Sequence, residues 1–250
     1  MSLILSRDCT LYYEEYGAGE TLILLPGLVG TIESDWRRFI PDLARHCHVI
    51  AVDLRGHGRT NNPSGVLQLP QLVADLDRLF DSLQIDQASL CGYDFGGVLA
   101  LRYGVEHPER ISTLILHAPK VFWTISELSA AAASLDPAAI EASNPVQAAS
   151  LRQLHLPANG PRGWALLLDQ SRALLAAMEH DPPTEAELAR ATFPVLVTFG
   201  DADEVVSRRE VRELVFLLPD ATLRILQGVS HLLQTLRKEP FLSSVISFLG

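Results

Sequence analysis

Residues 91–97 read CGYDFGG, and this short stretch decides how the fold of the chain is interpreted. The apolar run ASLC at residues 88–91 leads into it, and a helical pattern at 96–108 follows. Gly92 and Gly96 allow the strained backbone of a sharp strand-to-helix turn, which projects the middle side chain and places the next backbone N–H at a helix N-terminus. Asp94 is therefore predicted to project into a cleft at the end of a strand.

Short apolar runs recur along the chain, and each of them ends in Gly, Pro or Asp. Continuous rather than alternating apolar runs are typical of strands covered on both faces, and helical patterns such as residues 69–84 lie between them. This alternation predicts an α/β fold with a mostly parallel, doubly wound sheet. Residues 3–9 and 11–17 are close enough to form an opening hairpin. The other predicted strands lie at 21–27, 48–58, 88–94, 111–119, 194–203 and 221–228.

The segment from residue 121 to residue 192 breaks this rhythm. It is rich in alanine, contains six prolines and has no strand-like run. A disordered linker is one interpretation, but the spaced leucines, Trp164 and Met178 favour packed helices. We therefore predict an α/β core formed by residues 1–120 and 193–250, with a helical insertion at 121–192.

Composition and charge exclude several classes of partner. The chain has 250 residues with 20 basic and 30 acidic side chains, so its net charge is −10. No cluster of Lys or Arg could neutralise phosphates, and we expect neither nucleic acid nor a membrane as a partner. The start, MSLILSRD, lacks the regions of a signal peptide, and no apolar run approaches the roughly 18 residues of a membrane span. With three scattered cysteines, these features predict a cytoplasmic protein.

No metal site and no cofactor are expected from the sequence. His46 and His48 flank Cys47, but a fourth ligand is not found nearby.

Two further strand ends carry residues that could act with Asp94. Asp201 and Asp203 follow the run at 194–199, and His231 follows the last predicted strand. Ligands of open parallel sheets bind beyond the carboxyl ends of the strands, so these side chains are expected to converge. Either aspartate could orient the histidine, and its spacing from Gly200 favours Asp203. The chain order of nucleophile, acid and histidine predicts a catalytic triad of Asp94, Asp203 and His231.

Together with these sites, three motifs resemble the α/β-hydrolase family over nearly the whole chain: LPGLVG (25–30), DLRGHGRT (53–60) and HPERISTLIL (107–116). The resemblance implies a cap domain within the helical insertion and an oxyanion hole formed by the backbone N–H groups of Leu28 and Phe95. Pro26-Gly27 replaces the usual His-Gly, which is expected to change loop packing more than the backbone donors. His57 is interpreted as part of a tight turn, and His117 as a buried structural histidine.

The aspartate at position 94 points to a particular chemistry. An ordinary carboxylate is ionised at pH 7 and needs no base before it attacks. Attack on an ester carbonyl would simply revert, because the carboxylate is a better leaving group than an alkoxide. We therefore expect displacement at a saturated carbon, which makes an alkyl ester of Asp94 that His231-activated water then hydrolyses.

The substrate class is less well defined than the chemistry. The elbow resembles those of epoxide hydrolases and haloalkane dehalogenases, but Phe95 lacks the N–H with which a dehalogenase tryptophan binds halide, and no tyrosine follows Tyr103 to protonate an epoxide. Candidate donors or substrate contacts in the insertion are Trp123, His155, Trp164 and His180. Phe95 and the histidines slightly favour an epoxide, and the apolar insertion suggests a small, mostly apolar substrate.

Two alternatives stay open at this point. The chain could be an esterase or C–C bond hydrolase relative in which Asp94 replaces the nucleophilic serine, with weak or no turnover. It could also be a binding protein that uses the pocket as a receptor, although a receptor has no physical need for Asp203 and His231.

Overall fold

The computed structural model describes residues 2–178, 182–236 and 238–250. Its centre is an eight-stranded sheet with the order β1-β2-β4-β3-β5-β6-β7-β8. The strands are β1 (Ser2–Ser6), β2 (Cys9–Tyr16), β3 (Thr21–Leu25), β4 (His48–Asp53), β5 (Ala88–Tyr93), β6 (Ile111–His117), β7 (Val195–Gly200) and β8 (Ala221–Leu226).

The sheet is parallel except at one strand. β2 runs antiparallel to both β1 and β4, and the hairpin between β1 and β2 closes at Ser6 and Cys9. Every other neighbouring pair is parallel. The prediction of a mostly parallel, doubly wound α/β sheet with an opening hairpin is therefore confirmed.

Ten α-helices occur among the described residues. They are α1 (Ile40–Leu43), α2 (Leu69–Ser82), α3 (Phe95–Glu106), α4 (Ile125–Ser134), α5 (Pro137–Ser143), α6 (Pro145–Asn159), α7 (Gly163–Met178), α8 (Glu185–Leu188), α9 (Arg208–Leu217) and α10 (Lys238–Leu249). A π-helical turn at Ile32–Trp36 and 3₁₀ turns at Pro108–Arg110 and Leu233–Thr235 complete the set.

Successive side chains of the central strands pack into hydrophobic clusters on opposite faces of the sheet. In β3, Ile23 and Leu25 belong to the cluster that includes α2 and α3. Leu22 and Leu24 belong to the cluster that includes α1 and α10. Both faces are thus covered, which explains why the strand sequences are continuously apolar.

Helices α4–α8 lie between β6 and β7, within the segment predicted as an insertion. In the described part of residues 121–192 the chain forms helices and connecting turns only. Trp164 of α7 packs in a small hydrophobic cluster with Ile140, Leu151 and Leu168. The helical character agrees with the sequence interpretation, whereas the boundaries 1–120, 121–192 and 193–250 stay a prediction.

Within the described ranges, no helix combines the length and apolarity that crossing a bilayer requires. Cys9, Cys47 and Cys91 are buried thiols without disulfide bonds.

Candidate active site

The turn from β5 into α3 holds Asp94 in a strained conformation. The backbone φ of Asp94 is 50°, in the region that L-residues seldom adopt. A Cβ added to Gly92 would lie 2.2 Å from the carbonyl oxygen of Gly96, and one added to Gly96 would lie 2.4 Å from the carbonyl oxygens of Leu25 and Pro26. The two glycines predicted to permit the turn are thus sterically required, because backbone atoms fill the space of a side chain.

The two carboxylate oxygens of Asp94 face different partners. The backbone N–H of Leu28 donates to Oδ2 over 3.2 Å. Oδ1 lies 3.6 Å from Nε2 of His231, an ion-pair distance rather than a hydrogen bond. The side chain is 22 % exposed and lines the cleft described below. Leu28 is therefore placed as expected for an oxyanion donor, and its acceptor here is Asp94 itself.

The N–H of Phe95 does not bond the Asp94 side chain, which makes no capping hydrogen bond to α3. The Phe95 ring is buried in the core. The role of the Phe95 N–H as a second oxyanion donor stays a prediction.

Asp203 is the aspartate that contacts the histidine. Its Oδ2 and Oδ1 lie 3.0 and 3.2 Å from Nδ1 of His231. The N–H groups of Val205 and Val206 each donate to Asp203 over 2.8 Å. Burial opposes its charge, but the bonds from His231 and these N–H groups hold the pKa of Asp203 below its ordinary value. Asp201 instead accepts the N–H of Gly228.

His231 lies between two carboxylates. Burial alone would lower its pKa, yet Asp203 and Asp94 together raise the pKa of His231 to about 10. The imidazole is therefore protonated at neutral pH as long as both carboxylates are charged. The sequence predicted this convergence, and the structure brings Asp94, Asp203 and His231 into one chain of contacts.

Two buried side chains, Asp35 and His57, contact the backbone of the loop that carries Leu28. Asp35 accepts the N–H of Gly27 over 2.9 Å, and burial raises the pKa of Asp35 to about 6. His57 lies 2.7 Å through Nε2 from the Leu28 carbonyl oxygen and 2.9 Å through Nδ1 from that of Arg55. Burial lowers the pKa of His57. His57 thus belongs to a turn, as predicted, and also fixes the orientation of the Leu28 peptide.

A cleft of about 1030 Å³ lies at the carboxyl ends of the strands, where residues of the core, α4 and α6 line it. Asp94, His231 and Leu28 are among the core residues of this lining, and α4 and α6 contribute Ala131 and Leu154. A smaller recess of about 90 Å³ continues beside Asp94 and is lined mainly by apolar side chains, among them Leu28, Phe95, Val98, Leu175 and Met178.

A family model described as alpha/beta hydrolase fold matches residues 20–139, which include β3 to β6 and the turn at Asp94. A solved hydrolase from Pseudomonas aeruginosa superimposes with a TM-score of 0.78 at 26 % identity, covering 99 % of this chain and 98 % of that one. The chain has the α/β-hydrolase fold.

Two curated relatives show how far sequence similarity extends. The 2-hydroxy-6-oxo-2,4-heptadienoate hydrolase of Pseudomonas putida is 34 % identical over 119 residues, which are 46 % of this chain and 42 % of that protein. The 3-oxoadipate enol-lactonase 2 of Acinetobacter baylyi is 25 % identical over 246 residues, 91 % of this chain and 88 % of that protein. The first match therefore spans less than half of the relative, and the second spans most of it.

Of the candidate substrate contacts, Trp123 alone lines both the cleft and the recess among the described residues. Its Nε1 is buried and has no hydrogen-bond partner within the described structure. An unpaired buried N–H is costly, so this group is suited to a substrate atom.

His155 and Trp164 lie elsewhere, which corrects the expectation that they contact substrate. His155 is fully buried, packs against His57 and accepts the N–H of Gly58 through Nδ1 over 3.0 Å. Burial lowers the pKa of His155 to about 3, so it cannot act as an acid near neutral pH. Trp164 is buried in the small cluster with Ile140, Leu151 and Leu168, and the Arg152 guanidinium lies 5.3 Å from its ring centroid. His180 lies outside the described residues.

His117 is fully buried beside Tyr93 and bonds Thr198 through Nδ1 over 2.9 Å. Burial lowers the pKa of His117 to about 3, in keeping with the structural role predicted for it.

Lys120 is the site residue that the sequence interpretation missed. It follows β6, lines both cavities and is 2 % exposed. Its position in the sequence could have indicated it, because Lys120 stands just beyond the carboxyl end of a predicted strand, where ligands bind. The described residues contain no group of three or more His, Cys, Asp or Glu side chains that could hold a metal ion.

Proposed function

We propose that this α/β-hydrolase cleaves a bond at a saturated carbon through a covalent alkyl ester of Asp94, which His231 and water then hydrolyse. The observation that carries the proposal is that the two carboxylate oxygens of Asp94 have different partners. Oδ2 accepts the Leu28 N–H, and Oδ1 lies beside Nε2 of His231.

In the first step Oδ1 attacks the substrate carbon and the leaving group departs. Oδ2 then becomes the carbonyl oxygen of the new ester, already bonded to the Leu28 N–H. A water that attacks the Asp94 carboxyl carbon would place its developing negative charge on Oδ2, where this N–H stabilises it. This geometry supports the proposed hydrolysis of an ester on the protein.

The charge of His231 supports the same order of steps. While Asp94 is anionic, it and Asp203 keep the pKa of His231 high, and the imidazolium cannot act as a base. Esterification removes the charge of Asp94, which lowers the pKa of His231 and frees Nε2 to accept a proton from water. The base thus becomes available only after the covalent intermediate has formed.

The recess beside Asp94 supports a small or apolar substrate group. Its lining is mostly aliphatic and aromatic, which favours hydrocarbon over charged groups. An epoxide and a haloalkane both satisfy this chemistry, and we favour the epoxide.

The names of the relatives favour a second candidate, a hydrolase of the esterase, lactonase or C–C bond type in which Asp94 occupies the place of the nucleophilic serine. In such an enzyme the substrate carbonyl oxygen must reach the oxyanion donors. The Leu28 N–H is bonded to Asp94 itself, which weighs against this candidate.

A single turnover in ¹⁸O-labelled water tests the proposal. We expect the label to enter the Asp94 carboxylate first, detected by mass spectrometry of the peptide that contains it, and to reach product only in later turnovers. Label that appears directly in the product would refute the covalent ester. In parallel, Asp94→Ser should gain p-nitrophenyl ester hydrolysis under the second candidate and should only abolish activity under the first.

A further inference from the structure

We infer that Lys120 protonates the oxygen that departs when Asp94 is alkylated, and that the substrate is therefore an epoxide and not a haloalkane. This inference rests on the proposed function and identifies its leaving group.

Lys120 is a buried cation in the wall of the reaction site. It lines the recess of about 90 Å³ together with Asp94, so the two side chains adjoin the same small space. The side chain is 2 % exposed, and a buried charge requires partners. Glu127 of α4 lies 2.9 Å and Glu210 of α9 lies 2.5 Å from Nζ. These contacts keep an ammonium group in a site that would otherwise expel it.

The two glutamates leave donor capacity for a substrate. An ammonium has three N–H bonds, and the hydrogen bonds given for Nζ of Lys120 in the described structure go to Glu127 and Glu210. Two acceptors use two donors, so the third N–H is available to an oxygen in the recess.

A comparison of Lys120 with the neighbouring Trp123 favours an oxygen over a halide as the leaving group. Nζ of Lys120 lies 5.2 Å from the Trp123 ring centroid, and the Trp123 Nε1–H is buried without a partner within the described residues. A halide leaves as a stable anion and needs hydrogen bonds only, which an indole could supply. An alkoxide is a strong base and needs a proton, which an indole cannot give up at neutral pH but an ammonium can. A recess that binds only a halide leaving group has no need of the buried Lys120 ammonium.

The proton balance closes over the cycle. The Asp94 Oδ1–C bond forms as the epoxide C–O bond breaks, and the new alkoxide takes a proton from Lys120, which becomes a neutral amine. With the charge of Asp94 removed, the His231 imidazolium releases its proton to solvent. Water then attacks the carboxyl carbon, and the neutral imidazole takes one of the water protons and gives it to the departing alcohol oxygen. The second water proton, left on the Asp94 carboxyl group, returns to Lys120, and His231 regains a proton from solvent once Asp94 is a carboxylate again. The sum is epoxide plus water to diol.

The test separates alkylation from hydrolysis. His231→Gln should accumulate the alkyl ester, so the rate of mass gain on the Asp94 peptide reports the first step alone. In that background we compare Lys120→Met, Lys120→Arg and Trp123→Phe with 1,2-epoxyhexane and 1-bromohexane, which share a carbon chain. Lys238, the other lysine of the chain, pairs with Asp42 on the surface, and Lys238→Met is the matched control.

We expect Lys120→Met to slow alkylation by the epoxide about 100-fold or more, the usual contribution of a general acid. Alkylation by the bromide, where it occurs, should change less than about threefold by the same argument. Lys120→Arg can keep both ion pairs and the fold but releases its proton far less readily, so it should also be slow with the epoxide. Lys238→Met should match the parent.

Three outcomes would overturn the inference. The first is alkylation by the epoxide in Lys120→Met at the parental rate. The second is equal slowing of alkylation by the epoxide and by the bromide, which is expected if Lys120 only connects α4 to α9. The third is a parent protein that is alkylated by the bromide alone. Failure of the proposed function looks different, because no mass would then appear on Asp94 with any reagent.

Discussion

At the scale of the residue, His231 lies between two carboxylates that favour its charged form. Its Nδ1 lies 3.0 Å from Asp203 Oδ2, and its Nε2 lies 3.6 Å from Asp94 Oδ1. Both contacts stabilise the imidazolium, so a change of pH tests them directly.

The first prediction concerns the charge of His231. Its pKa in the folded chain is raised from 6.5 to about 10, so its ion pairs stabilise the fold fully below pH 6.5, and this contribution is lost as the pH rises through about 10. Between pH 6.5 and 9 we expect a loss on the order of 2 kcal/mol, or roughly 4–8 °C in Tm. Calorimetry across that window should show the slope in the wild type and a much flatter curve in His231→Gln.

His46 supplies the control for this experiment, since it is exposed and lies outside the cleft lining. His46→Gln should keep the wild-type slope. A His231→Gln curve as steep as that of the wild type would contradict the two ion pairs. NMR titration should also place the pKa of His231 lower in Asp94→Asn, because one of the two attracting charges is removed.

The positions of Asp94, Asp203 and His231 could be predicted because each follows a strand, and the parallel sheet brings such positions together. The expectation that His155 contacts substrate was wrong, because its bond to Gly58 joins residues about 100 positions apart. Such contacts leave no local pattern in the sequence.

At the scale of the element, strand positions were predictable and strand ends were less so. The strand predicted at 48–58 is longer than β4, which ends at Asp53. The Asp53 carboxylate accepts the N–H groups of Ile32 and Arg59, and the chain turns after this residue. In the insertion, Pro137 and Pro145 are the first residues of α5 and α6. Proline is favoured there because its missing N–H would be unpaired in any case.

The second prediction concerns the packing of the elbow against β3. In Gly96→Ala the new methyl would lie 2.4 Å from two backbone carbonyl oxygens, which cannot move without disturbing the strand. We expect a loss of about 3 kcal/mol or more in the free energy of unfolding, together with the loss of activity. Gly65→Ala is the control, because Gly65 has φ +68° but open space around its Cα. Its cost should be only the conformational strain, about 1–2 kcal/mol. Denaturant unfolding that ranks the two variants equally would argue against a steric requirement at Gly96.

At the scale of the whole molecule, the sequence predicted where the cleft lies but not which contacts hold α6 beside it. The Asn159 amide at the end of α6 donates to the carbonyl oxygens of Gly56 and Thr60 over 3.1 Å each. With His155, it fastens α6 to the turn after β4. Such seating depends on tertiary contacts, which helical periodicity does not report.

The charge of the cleft is a second property of the whole molecule, consistent with the net charge of −10. Glu33, Glu127 and Glu204 line the cleft in addition to Asp94 and the buried Asp35. Against them stand three cations: Lys120, which already pairs with two glutamates, His231, which pairs with Asp94 and Asp203, and Arg37, which pairs with Glu33. The cleft therefore holds a net negative charge and should repel carboxylates.

The third prediction follows from that field and applies to substrate choice. We expect 1,2-epoxyhexane to be hydrolysed with a kcat/KM roughly five- to tenfold above that of 5,6-epoxyhexanoate, because one uncompensated carboxylate near the charge of the substrate costs on the order of 1 kcal/mol. Glu204→Gln should narrow the ratio, and so should raised salt, since the cleft is open to solvent. Glu141→Gln, a change on exposed α5 away from the cleft lining, should leave the ratio as it is. A wild-type enzyme that prefers the carboxylate would mean that the paired cations, and not the glutamates, dominate the field where the substrate binds.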